Sequence, residues 1–227
     1  MIPIDTMGAR HADYVTGVSE ATKKRVPEVN EIIPNGVDLR LFTPANSDEK
    51  EKAPTLLFVG TRLGRKRGQW LGDLWTDQIK PKLPEGAVLW TVADEPIEGE
   101  GIVNHGRVSV EVLSGLFRKA WAFCMPSLYE GFGVPYIEAM ASGTPAIASP
   151  NVGAMEVLGN SAYGVVAPDD KLASEILSVV TDDKRRESLR TAGLARAQEY
   201  DWQEVAARYE AIYYRLLKLP MDQVVIK

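Results

Sequence analysis

The sequence predicts an α/β chain in which a parallel sheet carries helices on both faces, and three observations predict it. Short apolar runs of strand length recur along the 227 residues, at 54–60 (PTLLFVG), 87–93 (AVLWTVA), 121–125 (WAFCM) and 144–149 (TPAIAS). Runs this short without polar alternation fit strands buried on both faces, as parallel strands are. Stretches with helical apolar spacing separate them, the alternation expected of strand–helix–strand units. Between 121–125 and the next helix lies a loop in which Gly131 and Gly133 flank Phe132, so the backbone can bend through positive φ and admit a ligand close to its N–H groups.

Taken in order, residues 10–44 parse as a strand at 14–18, a short helix at 19–26 and a second strand at 31–33. Ser19 falls one residue short of a G-x-S-x-G nucleophile elbow, and its plainer role is the N-cap of that helix. The buried run 54–60 ends in Gly60 and leads into Thr61-Arg62-Leu63-Gly64-Arg65-Lys66-Arg67-Gly68, with four basic residues within six positions. A loop at the carboxyl end of a parallel strand is where open α/β sheets bind ligands, which sets this cluster apart from a merely solvated one. Residues 68–80 read as a helix whose Trp70, Leu71, Leu74, Trp75 and Ile79 share an apolar face. After 87–93 comes the turn-rich 94–101, whose Gly99 and Gly101 lack the third glycine of a dinucleotide fingerprint. His105 reads as a hydrogen-bonded loop residue, and 109–120 as a helix.

The helix after the glycine loop starts at Pro135, where a missing N–H costs nothing, and ends at Gly143. Strand, glycine turn and helix N-terminus make an anion site, and phosphate is the expected guest. Glu130 and Glu138 bracket it with seven residues between them. Glu130 is expected at the pocket mouth and Glu138 beside the phosphate, where a carboxylate accepts from two vicinal hydroxyls such as those of ribose. Beyond it follow a strand at 144–149, a short helix carrying Gly153 and Glu156, a strand and turn at 163–170, and helices at 172–180, 182–199 and from 201. On the last helix Val205, Tyr209, Ile212 and Leu216 form an apolar stripe that needs covering.

Composition narrows the function. With 45% hydrophobic and 25% charged residues the chain has an ordinary globular makeup. A net charge of −5 argues against nucleic acid as a partner. The one cysteine, Cys124, sits inside an apolar run, so no disulfide framework or metal-ligand spacing exists and a reducing compartment is expected. No signal peptide opens the chain and no run of 18 apolar residues occurs, which makes the cytoplasm the expected location.

The stretch PSLYEGFGVPYIEAMASGTPAIAS resembles the signature of retaining nucleotide-sugar glycosyltransferases of family 4, with its paired glutamates seven residues apart. That family has the GT-B fold, two Rossmann-like domains with the reaction between them. The resemblance implies a remnant of the acceptor domain and linker at 1–36, the donor-binding domain at 37–200, and a crossover helix and tail at 201–227. On this reading Glu138 holds ribose, while Gly60, Thr61 and backbone N–H groups of Gly131, Phe132, Gly133 and Val134 approach the donor. Lys66 and Arg62 neutralise the diphosphate, and Glu130 contacts the transferred hexose. Arg107 and Val108, after Gly106, fall where the family contacts the nucleobase. No D-x-D occurs, so no cofactor and no metal are expected.

The partners so implied are a nucleotide-sugar donor, a carbohydrate or glycolipid acceptor, and a protein supplying the acceptor half. Lys23, Lys24 and Arg25 are the charges available for peripheral contact with an anionic membrane face. Three other readings share features: a glycoside hydrolase built on the two carboxylates, a nucleotide-sugar epimerase, and a non-catalytic nucleotide-sugar binding subunit. The glycine loop and basic cluster have no use in the first.

Overall fold

A computed structural model describes residues 4–46 and 49–218. After a short helix, α1 (Ile4–Ala9), strand β1 (Thr16–Gly17) pairs in parallel with β2 (Glu31–Ile32), with α2 (Glu20–Arg25) between them. The strands expected at 14–18 and 31–33 shrink to two residues each, because the pair stands apart from the main sheet. Ser19 is the N-cap of α2, its side chain accepting from the Thr22 N–H. The plainer reading of that residue holds.

Six strands build the main sheet: β3 (Thr55–Gly60), β4 (Val88–Ala93), β5 (Ile102–Asn104), β6 (Ala122–Met125), β7 (Ala146–Ala148) and β8 (Val165–Val166). Their order is β5-β4-β3-β6-β7-β8, and every neighbouring pair is parallel. The chain therefore builds outward from β3 to β5, returns, and builds outward again from β6 to β8. Beside β3 and β6 the direction reverses, and the loops that leave their carboxyl ends diverge to form a crevice.

Helices α3 (Gly68–Leu74), α4 (Val110–Lys119), α5 (Val134–Ala141), α6 (Val152–Val157), α7 (Asp169–Thr181), α8 (Asp183–Ala197) and α9 (Trp202–Leu217) complete the chain. The segment after α3 packs with α7, whereas α4 and α8 pack on α5, so helices cover both faces as expected. One continuous core joins the sheet to both helical layers, from Leu56, Leu57 and Phe58 through Phe123 and Ile147 to Ile176.

One expectation is corrected here. The helix expected over 68–80 keeps α-type bonding only to Leu74, then widens into a π turn (Trp75–Ile79) and closes as a 3₁₀ turn (Lys80–Lys82). Trp75 and Ile79 are both fully buried in that turn, and Pro81 has no N–H to extend an α-helix. The stripe on α9 finds its cover within the chain. Ile33 covers Val205 and Ile212, with Tyr14 and Tyr209 packed alongside, while Leu216 stays exposed. The start of α9 is pinned through Val37, whose N–H donates to the Tyr200 carbonyl at 2.8 Å and whose carbonyl accepts from Trp202 at 3.1 Å. Of the crossover helix and tail expected at 201–227, residues 219–227 lie outside the described residues.

Tyr136 ties the first turn of α5 back to the strand before it. Its ring is fully buried edge-on to Phe123, and its hydroxyl donates to the Met125 carbonyl at 2.9 Å. Tyr136→Phe deprives a buried carbonyl of its donor, with an expected loss of about 1–3 kcal/mol in urea unfolding. An unchanged midpoint would show that this bond does not position the helix.

Candidate functional site

The loop after β3 and the loop after β6 meet at the reversal of the sheet. Gly64 takes φ +74° and opens a 3₁₀ turn (Gly64–Lys66), which presents Arg65 and Lys66 on one side. Lys66 Nζ lies 2.8 Å from Glu130 Oε1 and 3.0 Å from the Met125 sulfur. Arg65 reaches the same Oε1 at 2.6 Å and donates to the Tyr129 carbonyl at 2.9 Å, while the Leu128 N–H donates to the Arg65 carbonyl. Side chain and backbone thus lace the two loops together. Burial would raise the Glu130 carboxyl, but hydrogen bonds and charge from Lys66, aided by Arg65, outweigh it and hold it below the usual range. Burial also lowers the Lys66 ammonium, against the pull of Glu130.

Gly60 explains how Lys66 gets so close. A Cβ at Gly60 would sit 2.8 Å from the Phe58 ring and 3.0 Å from the Lys66 Cβ. The Glu130 loop is held from below by Gly153, whose N–H donates to the Glu130 carbonyl and where an added Cβ would sit 2.6 Å from the Phe132 carbonyl oxygen. Phe132 itself is buried edge-on to Tyr200, so what it offers a ligand is backbone. Gly133, at φ +95°, begins α5, and no side chain caps that helix end. At Gly131 the geometry differs: an added Cβ would meet nothing within 4 Å.

Glu138 lies one turn into α5 and takes the opposite electrostatic course to Glu130. Burial pushes its carboxyl up to about 7, against a smaller opposing influence of Lys66, and no cation among the described residues pairs with it. Two carboxylates with separated ionisation are thereby set around one lysine.

Among the expected site residues, then, the structure brings Gly60, Lys66, Glu130, Gly131, Phe132, Gly133, Val134 and Glu138 together. Arg62 is not among them. Its side chain turns to Gln69 at 3.2 Å, Glu98 at 3.4 Å and Glu95 at 3.9 Å, and its N–H donates to Asp94. Arg65, which the sequence reading passed over, is the second cation on Glu130. The shift follows from the turn, because Thr61 closes its hydroxyl onto the Leu63 carbonyl and sends the chain around Gly64 before the cations emerge. Arg67 goes elsewhere again, in a bidentate pair with Asp169 at the start of α7. Gly106, Arg107 and Val108 follow β5 on the neighbouring rim, Arg107 exposed and Val108 half-buried.

Residues 98–196 match the family described as Glycosyl transferases group 1. The chain is 33% identical over 210 residues to MMP alpha-(1->4)-mannosyltransferase of Mycolicibacterium hassiacum, covering 84% of this chain and 49% of that protein. The chain belongs to the group 1 glycosyltransferases. The architecture of this glycosyltransferase domain is that of the C-terminal half of the GT-B fold. Sucrose-phosphate synthase from Thermosynechococcus elongatus superposes with a TM-score of 0.82 at 25% identity, over 94% of this chain and 61% of that one. HepE of Anabaena, solved in complex with UDP and glucose, shares the fold with a TM-score of 0.74 at 21% identity, over 94% and 65% of the two chains. The chain spans about half the length of the curated relatives it matches. Among the described residues no helix is long and apolar enough to cross a membrane.

The raised Glu138 carboxyl has a pH signature. Between its ordinary value of 4.5 and about 7, the folded chain keeps a proton that the unfolded chain has released, so stability falls as pH rises through that window. Glu138→Gln removes this penalty. Its advantage over the parent should vanish near pH 4 and reach about 1–3 kcal/mol above pH 8. Urea unfolding at the two pH values checks this, and an equal gain at both would rule out a desolvated carboxylate.

Proposed function

We propose that the chain binds a nucleoside diphosphate-sugar across the loops after β3 and β6 and supports transfer of its hexose to a carbohydrate or glycolipid acceptor with retention. One observation carries the reading: Lys66 and Arg65 converge on Glu130 at the sheet reversal, beside a helix end that no side chain caps. Helix dipole, backbone N–H groups and two cations make a site for a diphosphate. Gly131 adds support from the other direction. A Cβ added there would meet nothing within 4 Å, so the backbone at Gly131 is open to an approaching ligand.

In this reading Glu138 accepts from the ribose hydroxyls, and Lys66 and Arg65 hold the diphosphate and stabilise the charge that grows on it as the glycosidic bond breaks. Glu130 orients both cations and faces the hexose. The departing phosphate takes the acceptor's proton, and no metal is required because the cations do that work. The names of the mannosyltransferase and of the UDP-bound neighbour favour a hexose on a nucleotide carrier. Exposed Leu63, Leu128 and Tyr129 on the two loops supply a surface for the acceptor or for a domain that brings it.

Calorimetric titration with nucleoside diphosphates, with and without EDTA, tests the reading. Binding should be the same in both, and Lys66→Met and Arg65→Ala should weaken it by about tenfold or more, beyond any effect of Arg62→Ala. The sharper variant is Gly131→Ala, which should leave stability within about 0.5 kcal/mol and still weaken the nucleotide. Undiminished binding in Gly131→Ala and Lys66→Met together would place the donor elsewhere, and a requirement for divalent metal would end the metal-independent mechanism.

A further inference from the structure

At the end of the sheet opposite the donor loops, Lys50 lines a cavity of about 470 Å³ together with Glu51, Trp121, Arg186, Glu187 and Arg190. It reaches the segments that lead into β6 and β7, where its Nζ lies 2.7 Å from the Ala120 carbonyl and 2.9 Å from the Thr144 hydroxyl. Thr144 donates its own hydrogen to the Phe117 carbonyl at 2.6 Å, so toward Lys50 it accepts. The nitrogen therefore meets two neutral acceptors. No carboxylate among the described residues pairs with it, since Glu187 is taken by Arg190 at 3.0 Å and Asp183 by Arg186. Two acceptors match the two hydrogens of a neutral amine, whereas an ammonium carries a third. Burial, joined by the charges of Arg190 and Arg186 and opposed by Glu187, lowers the ammonium from its ordinary 10.5 to about 7. The fourth direction at the nitrogen, which holds the lone pair of the amine, is left for the cavity.

We infer that Lys50 is a carbon dioxide site, its Nζ taking up CO₂ as a carbamate whose charge Arg186 and Arg190 offset. The Nζ lone pair bonds to the carbon of CO₂, one C–O π bond opens to place the negative charge on oxygen, and one amine proton leaves to water. The N–H that remains keeps one of the two acceptors. A desolvated, uncharged lysine is the nucleophile such a step needs. The cavity supplies the rest, because two guanidinium groups on its wall suit a new carboxylate-like group. An acyl donor would find the same amine, but the amide it leaves is neutral and draws nothing from those cations. Carbamate formation is independent of the donor-site reading, and it ties the segments before β6 and β7 to α8.

Trapping decides the matter. The chain is equilibrated with ¹³C-labelled CO₂ and treated with triethyloxonium, which ethylates a carbamate oxygen and expels diethyl ether, and the labelled peptides are mapped by mass spectrometry. Near pH 7.5 Lys50 should carry the label about tenfold or more above any other lysine, and at constant CO₂ pressure its occupancy should rise by about tenfold or more from pH 6 to pH 8. Peptide mapping separates it from the amino terminus, which in any chain titrates near neutrality. Lys50→Arg keeps donors for Ala120 and Thr144 and should lose the label. Arg190→Gln leaves the amine and both its acceptors in place and should lower occupancy by about threefold or more, so the test stands even where Lys50→Arg does not fold. Label with no excess at Lys50, or occupancy that Arg190→Gln leaves unchanged, overturns the inference. A Lys50 that an acyl phosphate modifies but that yields no trapped carbamate overturns the carbon dioxide assignment.

Discussion

A buried ion pair between loops from opposite sides of a sheet reversal is the constraint on which the rest of this domain depends. Glu130 is only 6% exposed and the Lys66 side chain is partly buried at 15%, so neither charge retains its full hydration. Removing one partner of such a pair typically costs about 3–5 kcal/mol, because the other is left uncompensated. The surrounding structure is arranged around that risk. Gly60 lets the Lys66 stem lie against β3, Gly153 lets the Glu130 loop rest on α6, and Arg65 gives the carboxylate a second donor from the solvent side. The bidentate bond of Arg67 to Asp169, reinforced by Ser149, then anchors the far end of the cation loop to α7. A loop so braced holds its cations in place before any anion arrives, and preorganised charge of this kind stabilises a leaving group without further rearrangement.

The two glutamates show how one signature yields two roles. Glu130 gains cations and stays ionised, whereas Glu138, a turn into α5 and without an ion-pair partner among the described residues, is raised to about 7 by burial. At neutral pH the first is a permanent charge and the second sits near its midpoint. Hydrogen bonds from ribose hydroxyls favour the ionised form of an acceptor, so a nucleotide bound there would draw Glu138 toward its carboxylate. Spacing in the sequence predicts that these residues lie on different surfaces, but only the packing around each shows that their electrostatics diverge.

Much of this was legible in the residues, and the parts that were not share a cause. The apolar runs of β3, β4 and β6 and the glycine-bearing turn before α5 have strong local signals, since strand burial and positive φ each restrict residue choice. Arg62 and Arg65 differ in no such local property. Which of them reaches Glu130 depends on the turn at Gly64 and on Asp94, 32 residues away, accepting the Arg62 N–H. The π turn after α3 was hidden likewise, because Trp75 and Ile79 keep helical spacing while bonding differently. The cover over α9 comes from Ile33, remote in sequence, so the stripe shows a need for cover that only tertiary contact identifies.

A second buried lysine shows why position in the sheet decides what such a residue does. Lys50 lies at the opposite, amino-terminal end of the strands, beside Trp121, Pro145 and Arg186 in a cavity of about 470 Å³. Burial, with the nearby charges of Arg190 and Arg186, lowers its ammonium to about 7. Its hydrogens, however, are already directed at the Ala120 carbonyl at 2.7 Å and the Thr144 hydroxyl at 2.9 Å, the first of these capping the end of α4. Arg186 in turn donates to carbonyls at the end of α7 and pairs with Asp183, and Arg190 pairs with Glu187. Lys50, Arg186 and Arg190 thus each close a helix terminus or meet an acid of their own. Lys66 instead meets a loop carboxylate beside an uncapped helix N-terminus, where the backbone contributes N–H groups and positive dipole. Protein charge and backbone thus contribute their field together at the carboxyl end, as the proposed diphosphate site requires.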